Sequence, residues 1–281
     1  MSNQSKIRVW WWSEGNTRFW WYPKRKSREN FGDALTPYLV ERISGKEPVF
    51  THVKHPRKPE TFFVIGSILW AVRPHCTVWG SGILQRKQEV AAADFRAVRG
   101  PKTHERLTEL GYKVPPVFGD PALLLPRHYQ AKSDKKYAIG IIPHYVDFEQ
   151  VKKTFADKED LLVIDLFDSV EKVVDQINAC EKTVSSSLHG VIVSQAYQVP
   201  SVWVKFSERL SGDDVKFTDY FLSVGMEPYQ ALNFDGRTIE LAELEKELNA
   251  KKGNDLIQCD FDGLLDKLMA ACPFKTDKLG T

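Results

Sequence analysis

One histidine stands where a predicted strand gives way to a helix. His189 follows Ser185, Ser186, Ser187 and Leu188 and precedes the apolar residues of a helical pattern. Imidazole changes its charge near neutral pH, so His189 is a candidate general acid. The helix dipole disfavours the imidazolium there, whereas a bound anion favours it. We therefore expect His189 to donate a proton mainly when an anionic substrate is present. The alternative is a helix-capping histidine without chemistry.

A second candidate lies at another strand-to-helix turn, Arg99-Gly100-Pro101. A guanidinium presents a planar fork of donors that matches a carboxylate or a phosphate. Lys102 follows one short turn later and adds a second positive charge. We therefore predict that Arg99 and Lys102 bind an anion, with a surface ion pair as the alternative for Arg99.

Glycine and serine residues close two further predicted strands. Gly66-Ser67 follows one of these strands, and Gly80-Ser81-Gly82 follows the next. Glycine allows the backbone to approach a ligand closely, and serine hydroxyls and helix N-terminal N–H groups bind anionic oxygens. We therefore expect the second turn, together with Ser186 and Ser187, to line a substrate pocket. None of these turns matches GxGxxG or a Walker loop, so no motif supports nucleotide binding.

The remaining candidates are polar residues near helix starts and strand ends. His144 ends the first strand of the second half of the chain, as a site residue facing a cleft or as a loop residue. Asn30 and Asp33 either cap the first helix or place a carboxylate in an acceptor site. Lys205 ends a strand and Arg209 follows four residues later, each a candidate contact whose alternative is solvated surface.

The elements that must position these residues alternate between strands and helices. Short apolar runs such as 61–65 and 77–79 predict buried parallel strands, and the apolar spacing over 34–43 predicts a helix. The polar stretch 126–136 contains a proline and a charge run, which is typical of an inter-domain linker. A second alternating series begins at Tyr137.

These patterns predict an α/β protein of two Rossmann-like domains facing a cleft. Residues 1–130 form the domain that carries Arg99, and residues 137–281 form the domain that carries His189. We expect the last helix, near 260–271, to pack back across the domains. Ligands of open α/β sheets bind beyond the carboxyl ends of the strands, where the candidate residues lie.

The composition excludes several classes of protein. The chain has 281 residues, of which 42% are apolar and 27% charged, so it is not a disordered chain, a coiled coil or a collagen. Its 39 Lys and Arg against 37 Asp and Glu give a net charge of +2, which argues against a dedicated nucleic-acid binder. A local basic pocket for an anion is compatible with this balance.

Cysteine usage and hydropathy indicate the cellular compartment in which the protein works. The four cysteines form no CxxC pair and have no metal-ligand spacing, so we expect no metal site and a reducing compartment. No apolar run of about 18 residues predicts a transmembrane helix, and the N-terminus lacks the apolar core of a signal peptide. The expectation is a cytoplasmic protein.

Tryptophan is concentrated at the start of the chain. Five of the eight tryptophans lie within the first 21 residues, and a basic stretch follows at 24–28. The segment is either a buried first strand with a solvated loop, or a surface that stacks on sugar or contacts a membrane edge. Strand alternation places Trp11 on the face opposite Trp10 and Trp12, so the three cannot all enter one core face.

Five short motifs occur in an order that resembles the polysaccharide pyruvyl transferase family. They are Asn30-Phe31-Gly32-Asp33-Ala34-Leu35, Gly80-Ser81-Gly82, Arg99-Gly100-Pro101-Lys102-Thr103, Gly119-Asp120-Pro121 and Ser187-Leu188-His189-Gly190. The resemblance spans roughly residues 28–225. It implies a GT-B-like fold and transfer of pyruvate from phosphoenolpyruvate to two hydroxyls of a sugar, forming a cyclic ketal and releasing phosphate. No cofactor or metal is implied.

Carried over by motif, His189 is the family's histidine, Leu188 lies beside it at the donor site, and Arg99 is the donor-binding arginine. Many relatives carry an arginine two residues before the histidine, where this chain has Ser187. The missing charge is then expected from Lys102, Lys205 or Arg209. Acceptors of such enzymes are often lipid-linked oligosaccharides at the inner face of the bacterial membrane, so the resemblance allows peripheral membrane contact.

Two other functions remain open from the sequence. A GT-B glycosyltransferase would use the same two-domain cleft with a nucleotide sugar, because a fold does not fix a function. A sugar-binding protein without turnover would use the tryptophan-rich start as its platform. The released product, phosphate or nucleotide, separates the two enzymes.

Overall fold

The computed structural model describes residues 5–13, 29–132, 134–156, 158–234 and 241–274. Within them lie two five-stranded sheets, and every strand pair is parallel. This confirms the predicted α/β class with two wound halves. The predicted boundaries at 1–130 and 137–281 fall in the connection between the two sheets.

The first sheet has five short strands and two helices. The strands are β1 (Lys6–Trp10), β2 (Glu47–Phe50), β3 (Thr61–Phe63), β4 (Cys76–Trp79) and β5 (Asp94–Ala97), in the order β2-β1-β3-β4-β5. The helices are α1 (Phe31–Ser44), between β1 and β2, and α2 (Pro101–Glu109), after β5. Two 3₁₀ helices complete this half, Leu69–Ala71 and Pro121–Arg127.

The second sheet contains the remaining strands. They are β6 (Tyr137–Ile142), β7 (Leu161–Val163), β8 (Cys180–Ser185), β9 (Ser201–Lys205) and β10 (Leu232–Asn233), in the order β10-β9-β8-β6-β7. Its helices are α3 (Phe148–Thr154), α4 (Val170–Asn178), α5 (Leu188–Ala196) and α6 (Val215–Ser223). Two further helices follow, α7 (Leu241–Ala250) and α8 (Phe261–Ala270).

The first strand explains the placement of the early tryptophans. Trp10 and Trp11 are both buried but belong to different hydrophobic clusters, as the alternation along a strand requires. Trp12 is 40% exposed. The residue pattern predicts a strand from Lys6 to Trp12, but the strand ends at Trp10. Trp20, Trp21 and the basic stretch 24–28 lie outside the described residues.

One hydrophobic cluster contains residues from both halves of the chain. It includes Val9 and Phe31 beside the first sheet and Val191 and Tyr220 beside the second. α5 packs against the 3₁₀ helix Pro121–Arg127, which directly precedes the connection between the sheets. The carboxyl ends of both sheets are thus held together by a common core.

The last described helix packs against the first sheet. The indole nitrogen of Trp79 in β4 donates a hydrogen bond of 2.8 Å to the carbonyl oxygen of Leu268 in α8. Phe274 contacts the same indole edge-on, at 5.3 Å between ring centroids. Arg127 pairs with Asp266 of α8 at 2.8 Å. α8 therefore follows the second sheet in sequence but contacts the first in space.

Three of the strands and α-helices were not predicted from the sequence, namely β2, β10 and α6. β2 lies at the edge of its sheet and contains Pro48, a residue that weakens the pattern of a strand. α6 is rich in aromatic and β-branched residues, which have modest helix propensity. α6 nevertheless matters most for the site, because it packs against α2 and so connects the two halves. None of the described helices is long and apolar enough to cross a bilayer.

Candidate functional site

His189 lies at the start of α5, beside the carboxyl end of β8. The hydroxyl of Ser185 accepts a bond of 3.0 Å from the Ser187 N–H and donates one of 2.8 Å to the Ser187 carbonyl. These bonds fix the turn from β8 into α5. The His189 side chain is 13% exposed and points from the second half of the chain toward the first.

Asp120 contacts the imidazole of His189 from the other half of the chain. The His189 Nε2 atom lies 3.5 Å from Asp120 Oδ2, and the Asp120 side chain is fully buried. Asp120 Oδ1 accepts a bond of 3.0 Å from the Ala122 N–H. Neither Oδ2 nor Nε2 has a hydrogen-bond partner among the described residues, so the contact between them is not a hydrogen bond. The His189 imidazole thus faces a buried carboxylate from the other half of the chain, and both groups have unused hydrogen-bonding capacity.

The first turn of α1 faces the opposite side of the same ring. Gly32 packs so closely on His189 Nδ1 that a Cβ at position 32 would collide with the ring. Asp33 follows, and its carboxylate is hydrogen-bonded by the Asn30 side chain. Burial raises the pKa of Asp33 to about 7, although the nearby His189 and the Asn30 bond oppose this rise. Asp33 therefore titrates near neutral pH.

The start of α1 bears on the two alternatives given for Asn30 and Asp33. Asn30 occupies the N-cap position, but its side chain makes no capping hydrogen bond, and its Oδ1 atom has no partner among the described residues. The capping prediction is therefore wrong for the Asn30 side chain. The acceptor-site role of Asp33 stays a prediction, and the structure places this carboxylate beside His189.

Arg99 lies in the junction between the halves, fully buried. Its Nε donates to Asp219 of α6 at 3.0 Å, and its two terminal nitrogens donate to the Ser67 hydroxyl and the Ile83 carbonyl, both at 2.7 Å. Asp219 also accepts from the Thr103 N–H at 2.9 Å. Both charged side chains of the pair have no exposed surface. Arg99 does form an ion pair, as the alternative predicted, but the pair is buried and does not lie at the surface. Direct binding of the donor by Arg99 stays a prediction.

The glycine and serine turns surround Arg99 and Asp120. Gly80 adopts a φ of 97° and packs against Pro121, next to Asp120. The Ser81 carbonyl accepts from the Arg99 N–H at 3.2 Å, and the buried Ser81 hydroxyl has no partner among the described residues. Gly82 lies against the Arg99 guanidinium. These turns therefore hold the polar groups of the junction in place.

The serines before α5 connect His189 to His144. The Ser186 hydroxyl accepts a bond of 2.8 Å from the His144 N–H, just beyond the end of β6. Ser187 and Leu188 are both buried. Burial and the nearby Lys216 lower the pKa of His144 to about 4, against the effect of Asp147. His144 is therefore a neutral imidazole at physiological pH.

The three cations expected to supply extra charge are each paired. Lys102 lies 2.7 Å from Glu105, in an exposed pair on α2. Lys205 lies 2.6 Å from Asp214. Arg209 lies 2.6 Å from Asp147. Their predicted roles in donor binding stay predictions.

Three functional candidates escaped the sequence analysis. Asp120 was part of a recognised motif, but no role was assigned to it. Asp219 and Lys216 lie on α6, the helix that was not predicted. The signal available for α6 was the spacing of Val215, Phe217, Tyr220, Phe221 and Val224, whose apolar side chains recur at helical intervals and are buried.

Comparison with known proteins gives one family and two relatives. The family described as "Polysaccharide pyruvyl transferase" matches residues 30–207. The uncharacterized protein L143 of Acanthamoeba polyphaga mimivirus is 31% identical over 206 residues, covering 70% of this chain and 72% of that protein. The succinoglycan biosynthesis protein ExoV of Rhizobium meliloti (strain 1021) is 29% identical over 210 residues, covering 70% of this chain and 62% of that protein.

Proposed function

The chain belongs to the polysaccharide pyruvyl transferase family, and from this premise we propose that it transfers pyruvate from phosphoenolpyruvate to two hydroxyls of one sugar. The product is a cyclic ketal on a polysaccharide or on a lipid-linked oligosaccharide precursor, and phosphate is released. The name of the relative ExoV, a succinoglycan biosynthesis protein, supports an exopolysaccharide as the final product. We extend the proposal to a GT-B-like arrangement of the two sheets.

The observation that carries this proposal is the position of His189 between two carboxylates. Asp120 lies 3.5 Å from one ring nitrogen, and the α1 turn that bears Asp33 packs against the other. An imidazole placed beside carboxylates can give up a proton to an anionic donor and be reprotonated through a neighbouring carboxylate. This arrangement supports His189 as the general acid.

The proposed reaction has two stages. His189 protonates the methylene carbon of phosphoenolpyruvate, and the electron pair of the double bond forms the new C–H bond. The resulting cationic centre at C2 is attacked by the first sugar hydroxyl, which forms a C–O bond and loses its proton to a base. The C2–O bond to phosphate then breaks, the second hydroxyl bonds to C2, and its proton leaves with the base or the phosphate.

Asp33 is the residue that we propose as this base. A pKa of about 7 leaves a large fraction of the carboxylate ionised at neutral pH while making it a far better proton acceptor than an ordinary aspartate. Its place beside His189 lets one group give a proton to the donor while the other takes one from the acceptor. Asp120 acts as a positioning residue, because its buried carboxylate lies 3.5 Å from the imidazole and orients it.

The donor carries a carboxylate and a phosphate, with close to three negative charges at neutral pH. Leu188, Ser186 and Ser187 at the start of α5 are proposed to lie at its binding site, together with the turn Gly80-Ser81-Gly82. Helix N-termini and glycine-rich turns offer N–H groups to such oxyanions. Arg99 is proposed to act on the donor mainly through the field of its charge, since its hydrogen-bond donors face protein groups.

The scheme moves protons and exchanges C–O bonds at C2 of the three-carbon pyruvyl group without a net oxidation or reduction, so we propose that it uses no redox cofactor and no metal. A cytoplasmic location fits a donor that is an intracellular metabolite. Peripheral contact with the inner membrane face would bring the enzyme to a lipid-linked acceptor. Both location statements belong to the proposal.

The decisive test measures the products. The full chain is incubated with phosphoenolpyruvate and a panel of free and lipid-linked sugars, phosphate is quantified, and the sugar products are analysed by mass spectrometry. We expect phosphate release that depends on one acceptor class, with a ketal product whose mass rises by one pyruvate less water. Release of a nucleotide from a nucleotide sugar, with no phosphate from phosphoenolpyruvate, would establish a glycosyltransferase instead.

A further inference from the structure

Exposed aromatic residues are concentrated at the carboxyl edges of the two sheets. Among the described residues, the large hydrophobic side chains that are exposed are Trp12, Trp70, Tyr145 and Leu222. The three aromatic residues follow β1, β3 and β6, whereas Leu222 lies in the last turn of α6. A single exposed apolar residue is ordinary, but exposed rings gathered at one edge indicate a binding surface. Ligands of open α/β sheets bind at this edge.

Trp12 and Trp70 form a pair of rings, which we call the tryptophan pair. Their ring centroids lie 5.8 Å apart, and the ring planes meet at 68°. Trp10, the last residue of β1, contacts Trp70 edge-on at 5.6 Å and itself stacks on Phe63 at 5.1 Å. The core of the first sheet therefore holds the pair in place, although Trp12 is 40% and Trp70 46% exposed. In the described part of the chain, neither of these two indole nitrogens donates a hydrogen bond.

The Trp12 side of the pair is connected to the start of α1. The indole nitrogen of Trp11 donates a hydrogen bond of 3.0 Å to the Glu29 carboxylate. Glu29 directly precedes the first turn of α1, in which Gly32 packs on the imidazole of His189. Trp12 thus follows a residue that is bonded to the segment beside the proposed general acid.

The Trp70 side of the pair is connected to Arg99. Ser67, three residues before Trp70, accepts a hydrogen bond of 2.7 Å from the Arg99 guanidinium. The N–H of Leu69 donates to the Gly82 carbonyl at 3.5 Å, and Gly82 lies against the same guanidinium. Because parallel strands end at one edge of a sheet, the pair and the candidate site share that edge.

The character of this surface favours a carbohydrate over a lipid bilayer. The protein covers more than half of each tryptophan, so neither ring projects as a membrane-inserting side chain would. Charges of the described residues next to the pair are mixed, with Glu29 on one side and Arg73 on the other. Anionic membranes are recognised by clusters of about four to eight Lys and Arg. A pyranose fits the corner between two rings, because its apolar C–H face stacks on one ring and its hydroxyls accept from indole N–H groups.

We propose that the tryptophan pair binds a sugar residue of the acceptor other than the one that is pyruvylated, so that the preferred acceptor is an oligosaccharide and not a single sugar. This assignment rests on the proposed function, whose acceptor is a sugar. The reacting hydroxyls must reach His189, which is only 13% exposed. The pair lies at the open edge, with Ser67 and Gly82 between it and Arg99. One sugar residue in the buried centre and a further residue on the rings satisfy both positions.

The experiment measures binding to the full chain through the NMR signals of the indole N–H groups. The titrants are gluco-, galacto- and manno-oligosaccharides of one to four residues, without phosphoenolpyruvate. In the wild type, we expect the Kd of one series to fall by about 3–10-fold beyond one residue, the gain typical of a stacked ring. Trp70→Ala should remove this gain and leave the Kd of the single sugar unchanged, and Trp70→Phe should keep most of it. Leu222→Ala is the matched control, because it shortens a similarly exposed side chain on α6.

Three results would overturn the assignment. The first is a gain with chain length that folded Trp70→Ala retains, and the second is the absence of any gain in all three series with the wild type. The third uses vesicles of phosphatidylglycerol: vesicle binding that Trp70→Ala loses, with oligosaccharide binding unchanged, assigns the pair to a membrane surface.

Should Trp70→Ala fail to fold, the wild-type protein decides. Trp12→Phe and Trp70→Phe identify the two indole signals, and both signals must shift when a tetrasaccharide binds. Unshifted signals at saturation reject the tryptophan pair as the binding surface.

Failure of this site and failure of the proposed function give different results. Binding that strengthens with chain length and is weakened in Trp70→Ala, without pyruvyl transfer from phosphoenolpyruvate to any sugar, keeps the site and rejects the function. Pyruvyl transfer with equal acceptor KM values for one and for four sugar residues keeps the function and rejects the site.

Discussion

The two ends of the junction carry opposite charges. At the end formed by α1 and α5, the carboxylates of Asp33 and Asp120 flank His189. At the end formed by α6, the cations Arg99, Lys205 and Lys216 lie close enough to influence one another. Under the proposed function, the acidic end handles protons and the positive charge of the basic end acts on the anionic donor.

Burial acts differently on the two ends. It raises the pKa of Asp33 toward neutrality and lowers that of Lys216 toward the same range. Desolvation penalises a charged form of either sign, so a carboxylic acid and an ammonium in one junction both become proton carriers near physiological pH. The two ends thus differ in the sign of their charge. Burial brings the pKa values of both groups close to neutral pH, where a bound ligand can change their protonation.

The largest effect is expected at the acidic end. His189→Ala should lower kcat by about 10²–10⁴-fold, because a positioned general acid contributes an acceleration of that size. The measurement is phosphate release from phosphoenolpyruvate with the best acceptor, and His55→Ala, in the turn after β2, is the control. If folded His189→Ala protein retained a kcat within a few-fold of wild type, His189 would not be the general acid.

The next effect concerns stability at the basic end. Arg99→Ala should lower the free energy of unfolding by about 3–5 kcal/mol, because it leaves Asp219 buried without its cation. Urea unfolding measures this, with Arg96→Ala as the control from the exposed pair with Asp94. A loss below about 1 kcal/mol would show that the pair is not the link between the halves. A normal donor KM in the folded variant would count against Arg99 as a donor contact.

Asp33→Asn should separate activity from stability. Removing the base should lower kcat by about 10–100-fold and abolish the rise of wild-type activity as pH passes about 7. The pKa of Asp33 is raised in the folded protein, so its stabilising contribution is complete below about pH 4 and is lost as pH rises through about 7.

Asp33→Asn should consequently raise the melting temperature at pH 8 and leave it unchanged at pH 3.5. Thermal unfolding at the two pH values provides the check, and Asp94→Asn in an exposed pair serves as the control. A variant that is less stable at pH 8 and shows the wild-type pH profile would place Asp33 in a structural role only.

The smallest effect is expected at an aromatic surface beyond the first sheet. Trp12 and Trp70 are 40% and 46% exposed, and their ring centroids lie 5.8 Å apart. Both follow strands of the first sheet, near its carboxyl edge. Trp70→Ala should raise the acceptor KM by about 3–10-fold and leave the donor KM unchanged, as expected for a ring that stacks on sugar. An equal rise in both KM values would indicate a general loss of structure.

Much of the fold could be predicted from local patterns. Short apolar runs between turn residues located β3, β4 and β5, and the Ser-Ser-Ser-Leu-His turn located the start of α5 within one residue. These signals are local, because strand burial and helix starts depend on neighbouring residues. α6 was missed because its aromatic residues give a weak local helix signal, and only packing against α2 explains its position.

The candidate site was predicted in part. The sequence singled out His189, Arg99, Asn30 and Asp33, and the structure brings His189 and Asp33 together. It could not assign Asp219 to Arg99, because the two are 120 residues apart and no local pattern links them. Lys216 carried no motif at all, and its place near Arg99 and Lys205 becomes visible only in the tertiary structure.

The sequence by itself determined which groups stand at strand ends, because alternating strands and helices put their turns on one edge of each sheet. Only the tertiary structure decided which charged side chains are buried and which partners they have. The reason is physical: an ionisable group is governed by burial and by charges a few ångströms away, and those distances depend on how two wound sheets pack through one core.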